Sequence, residues 1–586
     1  MVRGTWLLVA LPLLLAAFTV SRPPVLPPPV LPPAFDAAIA DQLARELARD
    51  FPDRSPGTAG ALGAATWVSD QLELYGYTLH QDRFTADIPG RGTAELLNLV
   101  AVVQGASRRA IVVTAHRDNS GESSGVNDNS SGTAALIELA RSYARPGSTT
   151  VEPPQPSHTL VFVSTDGGAF GALGAARFAE RSAYRDDALA VISLDAVGGA
   201  EVPRLAIGGD TARSPAASFV RTAAVRVLEQ SGSEPEHPSA LRQLLDLGFP
   251  FAPGEQGAFV ARGVPAVTLA TVPEGSVDRA DEALSADRLG ELGRASQNLI
   301  GSLDAGLELA RGTTSYVYLG TRIVRGWAIE LVLLASLLPF AIGAIDLFAR
   351  CRRRRIPLGC AMRSLRTRVL FWAFAGATVY VVGALGALPD GEARPLPPEP
   401  GLYTPSGVVL GVLAAVLLAA WFFWRERLLP RRPATAEETL AGHTVSLLAL
   451  GLLALVVVAT NPFSLVYLLP SLYAWLWLPQ AQDSPAFARV ALLLLGFAGP
   501  LILLLSFAAR LELGLETPWY LASLVVVGYV PWIAVGLGVV WCAVAAQLTA
   551  ITAGRYAPMS VRARGPRPPL RLVRRTPGDT HEALEG

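Results

Sequence analysis

After residue 325 the chain reads as one apolar run after another, and that pattern limits its fold more than any other feature. The runs cover 327–348, 369–388, 408–424, 441–460, 465–478, 490–508 and 520–549. A helix needs about 20 apolar residues to cross a hydrocarbon core of about 30 Å. Lipid offers the backbone no hydrogen-bond partners, so such runs are expected to be helices. The run at 465–478, LVYLLPSLYAWLWL, is short for a span. Arginines cluster at 350–355, 425–432 and 562–575. Basic residues flanking spans stay on the cytoplasmic side, so the stretch before residue 326 is expected to be extracytoplasmic and the tail cytoplasmic. That parity asks for an odd number of spans after residue 326. The short run is therefore expected to cross, because a re-entrant loop there alone would leave the tail on the wrong side.

The formal net charge of zero over 586 residues hides an asymmetry between halves. Up to about residue 312 the chain is polar and rich in acids, as a water-soluble domain requires. The expected organisation is a signal anchor or signal peptide at 1–21, a proline-rich spacer at 22–34 and a globular domain at 35–312. A multispan membrane domain of about seven helices follows at 326–550, and a basic tail at 551–586. The apolar run at 6–20 follows Arg3, and SRPPVLPPPVLPPAF after it reads as an extended spacer. The three cysteines, Cys351, Cys360 and Cys542, lie in or beside the membrane half. The globular half thus has no disulfide, no CxxC metal knuckle and no cysteine nucleophile. The arginines flank hydrophobic spans, which argues against nucleic acid as a partner.

Within the globular half, helical and strand-like patterns alternate. Helices are expected at 37–51, 61–76, 171–181, 214–231 and 285–310. Strands are expected at 77–84, 98–104, 110–115, 159–164, 190–194 and 265–270. Such alternation argues for a three-layer α/β domain with a mostly parallel, mixed sheet. The stretch IVVTAHRDNSGESSGVNDNSSGTAALIEL, from Ile111 to Leu139, reads as a buried strand, a polar loop and a helix beginning near Ser131. It gathers His116, Asp118 and Asp128 at the strand's carboxyl end, where α/β sheets bind ligands. Asp195 ends another apolar strand. An imidazole with several carboxylates is a zinc-type donor set. Taken singly, an HxD pair is more often a buried or turn-capping pair than a metal site. No GxSxG, Walker loop or dinucleotide fingerprint occurs in the required context.

The motif order RSPGTAG, NLVAVVQG, TAHRDNS, GVNDNSSGTAALIELAR, SLDAVGG and GVPAVTL resembles the di-zinc aminopeptidases of metallopeptidase family 28, clan MH. The resemblance covers roughly residues 36–310. With the multispan half added, the whole chain is similar to the membrane-bound endoplasmic-reticulum metallopeptidases of that family. It implies a zinc-aminopeptidase-like domain in which His116 and Asp195 are terminal ligands of one zinc and Asp128 is the carboxylate bridging to a second. Asp118 then orients His116 from behind. Where the family carries two consecutive glutamates, this chain reads STDGGAFGALGA, which puts Gly168 at the general base and Ala169 at the second-zinc ligand. The family's final histidine falls at Gln256. One zinc ion is therefore implied, and two are not.

A general base typically contributes about 10²–10⁴-fold to rate, so the leading expectation is a binding or regulatory module with impaired or lost peptidase activity. Its partners would be peptide N-termini or an envelope protein, with membrane lipid around the helices. A second reading is an active aminopeptidase in which Asp166 or Glu255 replaces the missing glutamate. A third is a transporter-like membrane module with the globular domain as its receptor. His158 and His237 lie in Pro/Ser-rich loops, His237 being a reserve ligand, and His443 lies near one end of a span.

Overall fold

A computed structural model describes residues 12, 13, 17, 19–144, 155–275, 283–430 and 432–558. Most of the apolar run at 6–20 and the basic cluster at 562–575 lie outside the described residues. The globular half contains helices α1 (Ala37–Asp50) and α2 (Ala59–Leu74), then strands β1 (His80–Ile88), β2 (Gly92–Val103) and β3 (Ser107–His116). These are followed by α3 (Gly132–Tyr143), β4 (His158–Thr165), α4 (Leu173–Arg181), β5 (Ala188–Leu194) and β6 (Arg204–Ala206). The rest comprises α5 (Ala217–Ser231), α6 (Ala240–Gly248), α7 (Gln256–Ala261), β7 (Ala266–Ala270) and α8 (Ala286–Gly306).

One seven-stranded sheet runs in the order β1-β2-β4-β3-β5-β7-β6. Its centre is parallel, with β3 between β4 and β5 and β7 beside β5. The β1–β2 hairpin and β6 are antiparallel edges. The central strands are apolar on both faces because both faces are covered. Ile111, Val113 and Ala115 pack with α1, α3, α5 and α8, whereas Val112, Val161 and Val191 pack with α4 and α7. This is the three-layer α/β arrangement with a mixed sheet that the alternating pattern implies. Two strands are longer or shifted: β1 starts at His80 and β2 at Gly92, because their pairing begins at the Ile88–Gly92 turn. The helix expected from 214 starts at Ala217, since Ser214 and Pro215 join a short antiparallel pair. The proline-rich segment lies along the domain: the Leu26 amide donates to Thr222 and its carbonyl accepts from Arg226.

The helical half comprises α9 (Gly326–Arg353), α10 (Gly359–Val382), α11 (Gly407–Leu428), α12 (Ala436–Thr460) and α13 (Leu465–Trp477). Then come α14 (Ala486–Leu495), α15 (Ala498–Leu511), α16 (Thr517–Val526) and α17 (Trp532–Thr552). Five helices among the described residues are long and apolar enough to cross a membrane: α9, α10 with its extension to Ala387, α11, α12 and α17. The pair α14–α15, bent by 50°, makes up to six. The run expected at 520–549 is two helices, broken where Gly528 takes a positive φ and Pro531 precedes α17. At about 1.5 Å per residue α13 spans only about 20 Å, and it carries Pro470.

The parity argument for α13 changes in the fold. At its start Ser464 and Tyr467 bond the carbonyls of Gly248 and Leu245 in α6, and at the end of α15 Arg510 bonds the carbonyl of Phe251. Thus α13 leaves the α/β domain and α14–α15 returns to it. The hairpin contributes two crossings or none, and the last helix ends away from the α/β domain in both cases. Parity therefore does not require α13 to span.

The α/β domain rests on this half through an aromatic seat, where Phe251 packs against Phe507, Tyr520 and Tyr529. Beside it Asp210 pairs with Arg394 at 2.6 Å and accepts from the Tyr529 hydroxyl at 3.1 Å.

Candidate metal centre

The register of the parallel strands brings the first two ligands together. Thr114 of β3 is opposite Ser193 of β5. Two residues on, His116 and Asp195 end adjacent strands on the same face, with backbones about 4.8 Å apart. Asp128 reaches them from the 117–131 loop, fixed by the asparagines on either side of it. Asn129 donates to the Leu194 carbonyl at 2.9 Å and accepts from the amides of Ala196 and Gly132. Asn127 accepts from the Gly198 amide at 2.9 Å. The run Asn-Asp-Asn thus ties Asp128 to the turn that carries Asp195.

The first part of the loop is clamped by Arg54, whose fully buried guanidinium donates to the carbonyls of Phe51, Arg117, Ser124 and Gly125. Four carbonyls from three chain segments meet on one planar donor fork, a role that suits arginine. Sequence reasoning quoted the motif that Arg54 opens but gave this residue no role. Its place beside the proline- and glycine-rich turn was the available signal.

His116, Asp128 and Asp195 form the one group of metal-type donors found among the described residues, with their donor atoms all within 4.8 Å of one another. His116 Nε2 lies 3.3 Å from Asp195 Oδ1 and 3.6 Å from Asp128 Oδ1. A tetrahedral zinc with bonds of about 2.0–2.1 Å has ligand-to-ligand edges of about 3.3–3.4 Å. The donor set and its spacing therefore fit one zinc ion. The imidazole is buried, while the two carboxylates keep about a quarter of their side-chain surface exposed, at 26% and 27%. The group is therefore open to solvent on its carboxylate side.

Asp118 lies behind the imidazole. His116 Nδ1 is 3.1 Å from the Asp118 carbonyl and 3.5 Å from its carboxylate, which suits an Nδ1–H tautomer that leaves Nε2 free as a ligand. The Asp118 carboxylate accepts from the amides of Gly168 at 2.8 Å and Ala169 at 3.0 Å. Burial alone would raise the Asp118 carboxyl, but the His116 contact and these two amides hold it below the usual range. For His116, burial works downward and is outweighed by the bonds to Asp118 and Asp195, so its pKa is well above that of an ordinary histidine. The centre thus favours positive charge.

Gly168 and Ala169 are closed against this arrangement. A Cβ on Gly168 would lie 2.2 Å from His116 Cβ and Cγ. The loop lies against the imidazole, so 168 has no room for any side chain. Ala169 packs into the apolar cluster of Leu96, Phe170 and Leu173, away from the three donors.

Neither Asp166 nor Glu255 is in the group of three clustered donors. Asp166 is buried against Arg117 at 2.8 Å and accepts from the amides of Leu97 and Gly167. Two residues before Gly168 its side chain turns toward β2, where the Arg117 guanidinium neutralises it. Glu255 is fully buried under the sheet end, accepting from the hydroxyls of Thr114, Thr165 and Ser193. Burial pushes its carboxyl above the usual range. Gln256 is engaged at both ends, donating to Glu274 at 2.7 Å and accepting from Thr268 at 2.6 Å. The other histidines stand apart from the three donors: His158 bonds Asp304, His237 packs edge-on to Tyr318, and His443 bonds the Thr439 carbonyl within α12.

Residues 98–296 match the model of Peptidase family M28, and the α/β domain is M28-peptidase-like over that stretch. Solved structures with a similar domain include BSAP, a zinc aminopeptidase from Bacillus subtilis, at 13% identity and a TM-score of 0.37 over 45% of this chain and 94% of that one. An aminopeptidase from Aneurinibacillus sp. strain AM-1 is similar at 13% identity and a TM-score of 0.36, over 46% of this chain and 94% of that one. A glutaminyl cyclase from an Acidobacteriales bacterium is similar at 19% identity and a TM-score of 0.37, over 46% of this chain and 95% of that one.

Proposed function

We propose that this M28-peptidase-like α/β domain, held on a membrane by the helices after residue 326, binds peptide amino termini at a single zinc site and does not hydrolyse them efficiently. One observation carries the reading: Gly168 is packed on His116, with Asp118 bonded to the amides of 168 and 169. The place of a general base is filled by the backbone that steadies the histidine. Zinc, when bound, would supply a Lewis-acidic anchor for a ligand's terminal donor atom. His116, Asp128 and Asp195 hold it, Asp118 and Asn129 set their orientation, and Arg54 keeps the loop closed. The carboxylates at 166 and 255 are engaged elsewhere, by Arg117 and by three hydroxyls. Loss of the base removes about 10²–10⁴-fold in rate, and loss of the paired-metal clamp removes more.

The test is metal analysis of the full chain in lipid nanodiscs together with turnover of a panel of aminoacyl amides. The expected result is one zinc per chain and no chelator-sensitive turnover. Two zincs per chain, with turnover abolished by chelation, would overturn the reading.

A further inference from the structure

A cavity of about 310 Å³ lies between the α/β domain and the end of α15, and Asp195 is the one member of the metal group that lines it. A ligand with one end at the metal therefore has this space for the rest, and the volume is within the range of small-ligand sites. The membrane half supplies part of the wall, through Ala509, Arg510 and Glu512.

Among the described residues, the charges lining the cavity do not cancel. Its three guanidiniums are each paired: Arg204 with Glu236 at 2.8 Å, Arg242 with Asp246 at 3.0 Å, and Arg510 with Glu274 at 2.9 Å. Asp195 belongs to the metal group. That leaves Glu512, which makes no ion pair or hydrogen bond with any described residue. Its position is firm, because Leu511 before it and Leu513 after it are buried in the aromatic seat. Glu512 itself has a left-handed backbone, φ 56°, a conformation that costs free energy in a residue with a side chain.

We propose that this cavity is the ligand subsite of the metal centre, and that Glu512, from the membrane half, receives a cationic side chain carried by the ligand near its metal-bound end. The proposal rests on the single-zinc reading and names the ligand class that such a site takes: a basic peptide segment. An anionic ligand would find no unpaired guanidinium among the described residues lining the cavity. Leu501, Ile502 and Leu505 are exposed on α15, the helix that ends at the cavity. The same basic segment can therefore come from a free peptide or from the end of a membrane-anchored polypeptide.

The experiment uses the full chain in zinc-loaded nanodiscs and two fluorescent peptides that differ only in arginine or citrulline at the second and third positions. Wild type is expected to bind the arginine peptide about fivefold more tightly at low ionic strength, with the preference shrinking as salt is added. Glu512→Gln should abolish the preference, and Glu512→Lys should reverse it. An arginine peptide acylated at its carboxyl end distinguishes the sources: binding tighter than the free peptide assigns the ligand to the membrane, and equal binding assigns a soluble peptide. A wild-type protein without charge preference, or a preference that survives in Glu512→Gln, overturns the proposal. Zinc counted in the same samples separates this outcome from failure of the single-zinc reading, since a chain that holds one zinc and binds both peptides equally refutes the subsite alone.

Discussion

Adding a single methyl group at residue 168 tests the contact between this loop and the metal-type donors. In Gly168→Ala the new Cβ would stand 2.2 Å from His116 Cβ and Cγ, whereas ordinary contact begins at 3.4 Å. One side must yield by the difference, 3.4 − 2.2 = 1.2 Å. If the loop retreats along its bonds, the Asp118 contacts stretch from 2.8 and 3.0 Å to 4.0 and 4.2 Å, beyond hydrogen-bond range. If the imidazole retreats, the 3.3 and 3.6 Å edges to Asp195 and Asp128 are lost instead. Either route disturbs a ligand or the group that orients it, an effect that typically costs about 10–100-fold in metal affinity. Overpacking should also cost about 1–3 kcal/mol. At about 2–4 °C per kcal/mol for a domain of this size, 2 kcal/mol lowers the melting temperature by about 4–8 °C. Zinc affinity is measured by competition with a chromogenic chelator, and stability by melting with and without chelator. Gly168→Glu, which restores the family's residue type, should be worse than alanine and gain no turnover. An alanine variant that binds zinc within twofold of wild type and melts at the same temperature would refute the reasoning.

Replacing Arg54 with Met leaves four carbonyls without their shared donor and should weaken zinc binding while increasing proteolysis between 117 and 125, as read by limited digestion. Asp118→Asn keeps the size but removes the charge behind His116; zinc affinity should fall about 10–100-fold, and an unchanged titration would count against the orienting role. Asp166→Asn leaves Arg117 buried without its partner, so melting should drop by an amount equivalent to about 3–5 kcal/mol with zinc stoichiometry unchanged. Glu255 has a folded pKa above its unfolded value, so its contribution is fully present below the ordinary glutamate pKa of about 4.3 and is lost as pH rises through the folded pKa. Glu255→Gln cannot ionise and should gain stability relative to wild type as pH rises above about 4.3; a relative loss on raising the pH would contradict the assignment.

Much of this architecture could be read locally. Alternating helical and strand patterns placed α1, β3, β4 and β5 to within a few residues, because the period of apolar residues is a local property. His116, Asp128 and Asp195 were also legible, since each ends a strand or sits in a helix-capping loop. Less legible were contacts between residues far apart in the chain. Arg54 reaches Gly125, and Glu255 reaches Thr114. Nothing in the local pattern around 255 indicates that its carboxylate meets three hydroxyls beneath the sheet. Spacing likewise suggested that Asp166 shares a face with residue 168, but Arg117, just past the end of β3, claims it.

By itself the sequence determined the division into an α/β domain and an apolar helical half, the chemistry of the metal-type donors, and the absence of glutamates at 168 and 169. Those follow from composition, period and residue identity, which need no partner to be read. The tertiary structure decided the contacts at these positions: the backbone at 168 closes on His116, and Glu274 and Thr268 engage Gln256. It also decided that α13 and α14–α15 form a hairpin, and that Glu512 of the helical half lines the same cavity as Asp195. Packing and charge balance are sums over neighbours brought together by the fold, so these properties exist only once the chain has closed on itself.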